Sequence, residues 1–251
     1  MITLPEVQNV PQIQSNQERI CITINHLQHM EKPGDKFKCY LVSWKESYRL
    51  AKVLARKIKS SGFRPDLVIG IARGGLVPAR VVCDFLLQKD LAAVKIEHWG
   101  IAATLGKAVI KFPLPVDISG KKILIVDDVV DTGDTYAVLM DYLKEKNPSE
   151  TRIAVLHYKT CSTCIPDYWA EKQDKWEWII YPWAVYEDLT GFIIKVMTRP
   201  MTLSDIKKAL MDNYSIKISK KDLLEIMNDM HAEGKLRKLE KGKKENLWVS
   251  E

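Results

Sequence analysis

Four carboxylates stand close together in the stretch ILIVDDVVDTGDTY, residues 123–136. They belong to Asp127, Asp128, Asp131 and Asp134, and the apolar residues before them are typical of a buried strand. Carboxylates at such short spacing repel one another unless a cation or a hydrogen-bonding ligand offsets their charge. The stretch therefore predicts a binding site for something cationic or phosphorylated.

The second half of the stretch, DTGDT, has the composition of a phosphate-binding loop. Gly133 permits close approach to the backbone, and Thr132 and Thr135 supply hydroxyl donors at the start of a predicted helix. Backbone amides and the dipole at a helix start favour anions. Asp127 and Asp128 come one step earlier, where carboxylates can bind the hydroxyls of a sugar directly or through Mg²⁺ and its waters. Together the two halves predict a site for a phosphorylated sugar.

Alternating apolar strands and helices surround this stretch and predict the fold that positions it. The strand segments are KCYLVS, DLVIGIA, AAVKIE, KKILIVD and RIAVLHY. Helices are predicted for LVPARVVCDFLL, for TYAVLMDYLKEK and for a segment that carries Leu50, Val53, Leu54 and Ile58 on one face. Such alternation predicts an α/β fold with a mostly parallel sheet flanked by helices. Ligands of these sheets gather at the carboxyl ends of the strands.

Composition and periodicity divide the chain into three predicted parts. Residues 1–36 are rich in Gln, Asn and Pro and are interpreted as an N-terminal arm. Residues 37–199 contain the alternating pattern, and residues 200–251 form a small C-terminal α+β appendage. In the appendage, Thr202 and Ser219 are predicted to cap two amphipathic helices, and a hairpin with a basic tip follows them. This order resembles a trimmed winged-helix module.

The charge pattern of the appendage does not favour nucleic acid as its partner. The second predicted helix carries Asp222, Glu225, Asp229 and Glu233, and these carboxylates would face the phosphates of a duplex. We therefore expect the appendage to pack on the main domain or on its dimer partner. The apolar contact would come from Leu203, Leu210, Leu223, Met227 and Trp248.

Length and composition restrict the class of protein further. The 251 residues, 46% hydrophobic and 28% charged, suit one main domain with an appendage. No apolar run approaches the roughly 18 residues that cross a bilayer, and the start of the chain lacks the order of a secretory signal. Five cysteines without a regular framework suit a reducing compartment. We therefore expect a cytoplasmic protein with no membrane partner.

The complete stretch 123–136 resembles the phosphoribosyl-diphosphate (PRPP) signature of the type I phosphoribosyltransferases: an apolar strand, two acidic residues, two apolar ones, then Asp-Thr-Gly-x-Thr. The resemblance implies that Asp127 and Asp128 bind the ribose and Mg²⁺, and that Asp131 is the general acid/base near purine N7. It also implies a 5′-phosphate site made by Thr132, Gly133, Asp134 and Thr135.

A second loop, GIARGGLVPAR at residues 70–80, resembles the diphosphate-binding loop of the same family. It lacks the Gly-Lys-Ser/Thr ending of a Walker loop. The resemblance implies that backbone amides meet the diphosphate, often with a cis peptide before the second residue of the loop. The residues concerned are Ala72, Arg73, Gly74 and Gly75.

The segments LHYKT and WEWIIYPW resemble the base pocket of bacterial guanine–xanthine phosphoribosyltransferases in order and spacing. The resemblance implies that Lys159 donates to the exocyclic oxygen at purine position 6. It implies that Trp178, five residues before Trp183, stacks on the purine ring, and Ile179 completes the predicted base-binding set.

The resemblance covers roughly residues 38–195 and fails in three places. The segment EHWGIAATLGK, residues 97–107, lacks the Ser-Tyr pair often found in the loop that closes over PRPP. Ala184 follows the Pro-Trp pair where relatives commonly have an acidic residue, with Glu187 and Asp188 slightly later. The third departure is the appendage itself.

The pair CSTC, residues 161–164, leaves a disulfide, inert thiols and a metal site open. A single Cys-x-x-Cys lacks the second ligand pair of a structural zinc site. The pair would lie in a loop beside the predicted base pocket.

These observations lead to one favoured hypothesis and two alternatives. The favoured one is an Mg²⁺-dependent purine phosphoribosyltransferase that makes a purine nucleoside monophosphate and diphosphate, with a 6-oxopurine preferred and a homodimer expected. Adenine on the same scaffold is the first alternative, although its amino group does not match a charged lysine donor. The second is a regulator that senses PRPP or a nucleotide and binds nucleic acid through residues 200–251.

Overall fold

A six-stranded sheet forms the centre of the computed structural model, which describes residues 36–98, 108–239 and 246–250. The strand order is β4-β3-β2-β5-β6-β7, and every neighbouring pair is parallel except β3 and β4. The strands are β2 (Leu67–Ala72), β3 (Leu91–His98), β4 (Ala108–Phe112), β5 (Lys122–Val130), β6 (Glu150–Lys159) and β7 (Tyr168–Gln173). The mostly parallel sheet predicted from the sequence is confirmed.

Helices cover both faces of this sheet, as its two apolar sides require. On one face, α1 (Trp44–Ser60) and α2 (Leu76–Leu86) pack with Leu124 and Leu156 of the strands. On the other face, α3 (Asp134–Lys144) packs with Ile123 and Ile125. Neighbouring residues of β5 thus serve opposite faces, as the twofold repeat of a strand dictates.

The predicted apolar face of α1 is present in the structure. Leu50, Leu54 and Ile58 are buried, and Val53 is half-buried at the edge of the same face. The helix begins after Ser43, whose hydroxyl accepts a hydrogen bond from the Glu46 amide at 3.2 Å. This is the normal chemistry of a serine cap.

Strand β5 extends beyond the apolar segment KKILIVD and includes the acidic pair. Asp127 pairs with Val155 of β6, and the ladder continues to Val130 opposite Tyr158. The β-branched Val129 and Val130 and a long parallel neighbour explain the extension. The predicted strand ended at Asp127, whereas the observed strand continues through Asp128 to Val130.

A short parallel pair lies beside the main sheet. It consists of β1 (Cys39–Leu41) and β8 (Trp178–Ile180), and α4 (Val185–Val196) follows β8. Helix α4 is absent from the elements predicted above. It carries Glu187 and Asp188 in its first turn.

The C-terminal segment contains two helices and an antiparallel three-stranded sheet in the order β10-β11-β9. Its elements are β9 (Met201–Thr202), α5 (Leu203–Tyr214), α6 (Lys220–Ala232), β10 (Leu236–Leu239) and β11 (Leu247–Ser250). Thr202 and Ser219 cap the helices as predicted, each accepting from the amide three residues later. The basic hairpin tip at 240–245 lies outside the described residues.

The C-terminal segment shares its apolar core with α4. Leu189, Phe192 and Ile193 of α4 belong to the same buried cluster as Leu210 of α5 and Trp248 of β11. The expected packing on the main domain is thus seen within a single chain for the described residues of this segment. Within the described part of the chain, the helices are all too short or too polar to cross a bilayer.

Candidate active site

Two loops meet at the carboxyl ends of the neighbouring strands β2 and β5. The first begins at Ala72 and the second at Asp131, and together they line a cavity of about 320 Å³. Gly74, Asp128 and Thr132 also face this cavity. The parallel pairing of the strands brings both predicted PRPP loops to one place.

The first loop is built on close contacts that leave no room for side chains. The peptide bond between Ala72 and Arg73 is cis, as the resemblance implied. A Cβ on Gly74 would lie 2.2 Å from Oδ2 of Asp128, and one on Gly75 would lie 2.5 Å from the Val126 carbonyl oxygen. Both glycines therefore let the loop rest directly on β5.

One predicted donor of this loop is already in use. The Gly75 amide donates to the Ile71 carbonyl oxygen at 2.8 Å as the chain turns into α2. The expectation that four residues offer amides to a diphosphate is therefore corrected. The amides of Ala72, Arg73 and Gly74 stay the predicted donors of this loop.

The Arg73 side chain extends away from its loop to α4. Its guanidinium donates to both carboxylate oxygens of Glu187 at 2.6 Å, and both side chains are exposed. An exposed pair of this kind adds little stability. The pair nevertheless places a guanidinium and a carboxylate beside the glycine loop, residues 72–75.

The acidic pair is held by hydrogen bonds from neighbouring groups. Asp127 accepts from the Asp128 amide at 2.9 Å and from the Tyr136 hydroxyl at 3.1 Å. Oδ2 of Asp128 accepts from Nε1 of Trp183 at 3.2 Å, and its carbonyl oxygen accepts from the Tyr181 hydroxyl at 2.8 Å. Both carboxylates are therefore fixed in direction.

The acidic pair is also electrostatically unfavourable without a ligand. Burial and then the charge of Asp128 raise the pKa of Asp127 well above its usual range. Burial raises the pKa of Asp128 to about 6. Among the residues that the structure describes, no lysine or arginine forms an ion pair with either carboxylate. A bound cation would relieve this cost.

The predicted phosphate loop turns sharply from β5 into α3. Gly133 has φ +102°, a conformation that favours glycine, and a Cβ there would lie 2.7 Å from Oγ1 of Thr163. Oγ1 of Thr132 donates to Asp134 at 3.0 Å, and α3 begins at Asp134. Thr135 is half-buried in the first turn and lines the cavity. The start of α3 therefore borders the cavity, although the amides of Asp134, Tyr136 and Ala137 already donate within the turn.

The CSTC segment supports the phosphate loop from outside. The amide and the hydroxyl of Thr163 both donate to the Thr132 carbonyl oxygen, at 3.0 and 2.9 Å. Cys161 and Cys164 are free thiols. Within the described ranges no group of three or more His, Cys, Asp or Glu residues could hold a metal ion. Of the three alternatives left open above, the structure contains the unlinked thiols.

Lys159 and Asp131 form an ion pair at the far end of the site. Nζ of Lys159 donates to Oδ2 of Asp131 at 2.7 Å, and the lysine is only 3% exposed. Oδ1 of Asp131 accepts from Nε1 of Trp176 at 3.3 Å. The structure thus joins the predicted acid/base residue and the predicted base reader directly.

The other two predicted base contacts differ from each other in exposure. Trp178 is 39% exposed, and its Nε1 donates to Asp188 of α4 at 3.2 Å. Burial raises the pKa of Asp188 to about 6. Ile179 lies on β8 beside β1 and its side chain is buried in the core, so a base could reach only its backbone.

Sequence reasoning missed four residues that shape the site. Trp176 contacts Asp131, Trp183 and Tyr181 hold Asp128, and His157 bonds to Tyr181 at 2.7 Å. The rings of Tyr181 and Trp183 stack with centroids 4.9 Å apart. The density of aromatic residues in WEWIIYPW was the available signal. In the segment 97–107, which lacks the Ser-Tyr pair, residues 99–107 lie outside the described part of the chain.

Comparison with known proteins gives the class to which this site belongs. Residues 41–188 match the phosphoribosyl transferase domain family. A xanthine-guanine phosphoribosyltransferase from Idiomarina loihiensis is 28% identical over 149 residues, which cover 59% of this chain and 88% of that protein. Another from Cereibacter sphaeroides is 30% identical over 152 residues, covering 58% and 87%.

A solved structure agrees with these matches. The crystal structure of a purine phosphoribosyltransferase from Pyrococcus horikoshii Ot3 is 33% identical, with a TM-score of 0.52 and coverage of 58% of this chain and 93% of that one. Fold, loops and matches together define a glycosyltransferase enzyme. The chain belongs to the phosphoribosyl transferase domain family.

Proposed function

We propose that this enzyme transfers the phosphoribosyl group of PRPP to a 6-oxopurine, releasing diphosphate and forming a purine nucleoside monophosphate. The observation that carries the proposal is the bond between Lys159 and Asp131, which lies at the end of the cavity formed by the two PRPP loops. The curated relatives named above act on xanthine and guanine by name, and both bases are 6-oxopurines.

The phosphate groups of PRPP would occupy the two loops. The turn into α3, with Thr132, Gly133 and Thr135, suits the 5′-phosphate, because these residues line the cavity at the positive end of the helix dipole. The Arg73 and Gly74 amides suit the diphosphate. The ribose would then lie between them, beside Asp127 and Asp128.

The acidic pair fits Mg²⁺. Both carboxylates are fixed, offer hard oxygen donors and have raised pKa values, and neither has a cationic partner among the described residues. Such a pair suits an ion that completes its coordination shell with water and substrate oxygens. Asp127 and Asp128 would hold the ion in place against the ribose. When bound, Mg²⁺ would offset the charge that develops on the departing diphosphate.

Base recognition would use the donors of Lys159. An ammonium has three N–H groups, so Lys159 can keep its bond to Asp131 and donate another to the oxygen at purine position 6. Trp178 would provide a stacking surface for the purine. Adenine would place its own amino donor against the lysine, which leaves both groups without an acceptor.

Asp131 would manage the proton of the base. The transfer forms a bond from a purine nitrogen to C1 of the ribose and breaks the bond from C1 to the diphosphate oxygen. The base loses a proton in this step, and the Asp131 carboxylate beside Lys159 is placed to accept it. The lysine charge stabilises the carboxylate until then.

The test is an assay of the full chain with Mg²⁺, PRPP and each of adenine, hypoxanthine, guanine and xanthine separately. We expect nucleotide from at least one 6-oxopurine and little from adenine. Lys159→Gln should reduce the preference for 6-oxopurines over adenine while the fold is retained. Efficient use of adenine alone would overturn the 6-oxopurine proposal, and binding of PRPP without turnover of any base would favour the regulator.

A further inference from the structure

Trp176 lies in the short bend between β7 and β8, where it contacts both members of the Lys159–Asp131 pair. Its indole nitrogen donates to Oδ1 of Asp131 at 3.3 Å. The Lys159 ammonium lies over its ring, 4.7 Å from the ring centroid. No other aromatic ring of the described residues makes a cation–π contact with Lys159.

These contacts restrain the Asp131 carboxylate from two sides. Lys159 occupies Oδ2 at 2.7 Å and Trp176 occupies Oδ1, so rotation of the carboxylate would break both hydrogen bonds. Hydrogen bonds to a charged group are stronger than neutral ones, and a cation gains further attraction from an indole face.

Trp176 is itself held from behind by Phe37. The two rings meet edge to face, with centroids 5.6 Å apart. Phe37 is fixed in turn by its amide, which donates to the Asn213 carbonyl oxygen at 3.1 Å. The indole is therefore a supported group even though its outer face is exposed.

We infer that Trp176 is a positioning residue for the base end of the site: it aims the Asp131 carboxylate and keeps the Lys159 ammonium paired with it. This inference rests on the proposed function, in which Asp131 accepts the proton of the base. Trp176 acts through Asp131 and Lys159, whereas Trp178 would touch the base directly. A base would meet a carboxylate already in the orientation that the transfer requires.

The kinetic test compares Trp176→Phe and Trp176→Leu with the unchanged chain. Trp176→Phe keeps a ring over Lys159 but removes the N–H, and we expect kcat to fall tenfold or more, because a hydrogen bond to a charged group is lost. The KM for the base should change little, because the base does not contact the lost group. Trp176→Leu removes the ring as well and should lower kcat further.

Trp169→Phe is the matched control. Trp169 also has a lysine over its ring, with Nζ of Lys57 at 5.6 Å, but it lies on β7 against Tyr158 and away from Asp131. Its kinetics should equal those of the unchanged chain. Unchanged kcat in Trp176→Phe would overturn the inference, as would a lower KM with unchanged kcat in Trp176→Leu, because the ring would then be an obstacle to the base.

A second measurement separates this inference from the proposed function. In nitrogen-15 spectra of the indole groups, the Trp176 signal, assigned by its loss in Trp176→Phe, should shift in Asp131→Asn. This signal requires no turnover. A shift together with an inactive unchanged chain would support the contact and reject the reaction. An unmoved Trp176 signal would reject the positioning contact itself.

Discussion

His157 shows how one hydrogen-bond chain fixes a tautomer behind the acidic pair. The Tyr181 hydroxyl has one proton, which it donates to the Asp128 carbonyl oxygen at 2.8 Å. Nδ1 of His157 lies 2.7 Å from the same hydroxyl and must therefore donate to it. Nε2 is then the unprotonated nitrogen, and it is buried without a partner among the described residues. Burial accordingly lowers the pKa of His157 to about 4.

This lowered pKa predicts a dependence of stability on pH. The unfolded chain protonates His157 near its ordinary pKa of 6.5, whereas the folded chain does so only at about 4. The contribution to stability is therefore complete above pH 6.5 and is lost as the pH falls through 4, to the extent of about 3 kcal/mol. Urea unfolding should show that the free energy of unfolding falls less between pH 7.5 and pH 4 in His157→Gln than in the unchanged chain. Equal losses in both chains would contradict the prediction.

The raised pKa values of the acidic pair predict a pH dependence of PRPP binding. A protonated carboxyl holds a cation poorly, and the pKa of Asp128 lies at about 6 with that of Asp127 also raised. Calorimetry with Mg²⁺ should therefore show PRPP affinity falling as the pH is lowered through 6. Asp127→Asn with Asp128→Asn should bind PRPP weakly at every pH. Asp84→Asn, on the exposed face of α2, is the control and should retain the dependence.

At the scale of elements, the glycine loop packs so closely on β5 that the position of each limits the position of the other. A Cβ on Gly74 would fall 2.2 Å from Oδ2 of Asp128, so Gly74→Ala must displace that carboxylate or the loop. Overpacking of this kind costs about 1–3 kcal/mol. Because PRPP binding requires the undisplaced loop and carboxylate, we expect PRPP affinity to fall tenfold or more. Isothermal titration at pH 7.5 measures this loss.

Gly191→Ala is the control for the same substitution elsewhere. Gly191 lies within α4, and a Cβ there would meet nothing within 4 Å. Alanine in a helix interior is favoured over glycine by about 1 kcal/mol, so this variant should be more stable and bind PRPP normally. Unchanged PRPP affinity in Gly74→Ala would show that the loop does not press on Asp128 in solution.

The elements that could be predicted from the sequence are those determined by residues close to one another along the chain. The loop DTGDT, the face of α1 and the caps Thr202 and Ser219 all depend on neighbouring residues, and all are present. Helix α4 escaped prediction because Ala184 gives it no side-chain cap and Gly191 lowers the helix propensity of the segment. Trp176 escaped because its partner Asp131 lies 45 residues earlier in the chain, and only the folded sheet brings them together.

At the scale of the whole molecule, an aromatic cluster joins the base end of the site to the C-terminal segment. Phe192 of α4 meets Trp178 edge to face at 6.1 Å and Tyr214 of α5 at 4.7 Å between centroids. Phe37 contacts both Trp178 and Tyr214, at 6.5 and 5.0 Å. The C-terminal segment thus supports the proposed stacking residue.

The exposed surface of α6 supports this packing role over nucleic-acid binding. Asp222, Glu225 and Asp229 are exposed on that helix, while Leu223 and Met227 are buried against the shared core. Carboxylates on the exposed face would repel phosphates. We therefore expect the C-terminal segment to influence the reaction through the aromatic cluster.

Tyr214→Leu in the full chain tests this influence. Loss of the ring removes contacts with Phe37 and Phe192, so Trp178 loses support and the KM for the base should rise severalfold, by about 1 kcal/mol of lost ring packing. Leu223→Ala is the matched control: it lies in the same buried core and should lower stability by about 2–5 kcal/mol, yet the ring contacts of Trp178 stay intact. Steady-state kinetics and urea unfolding of both variants measure the two effects separately. An equal rise of the KM for the base in both variants would show that the C-terminal segment affects the reaction only through stability. Salt-sensitive duplex binding by the unchanged chain would favour the alternative of a nucleic-acid-binding regulator.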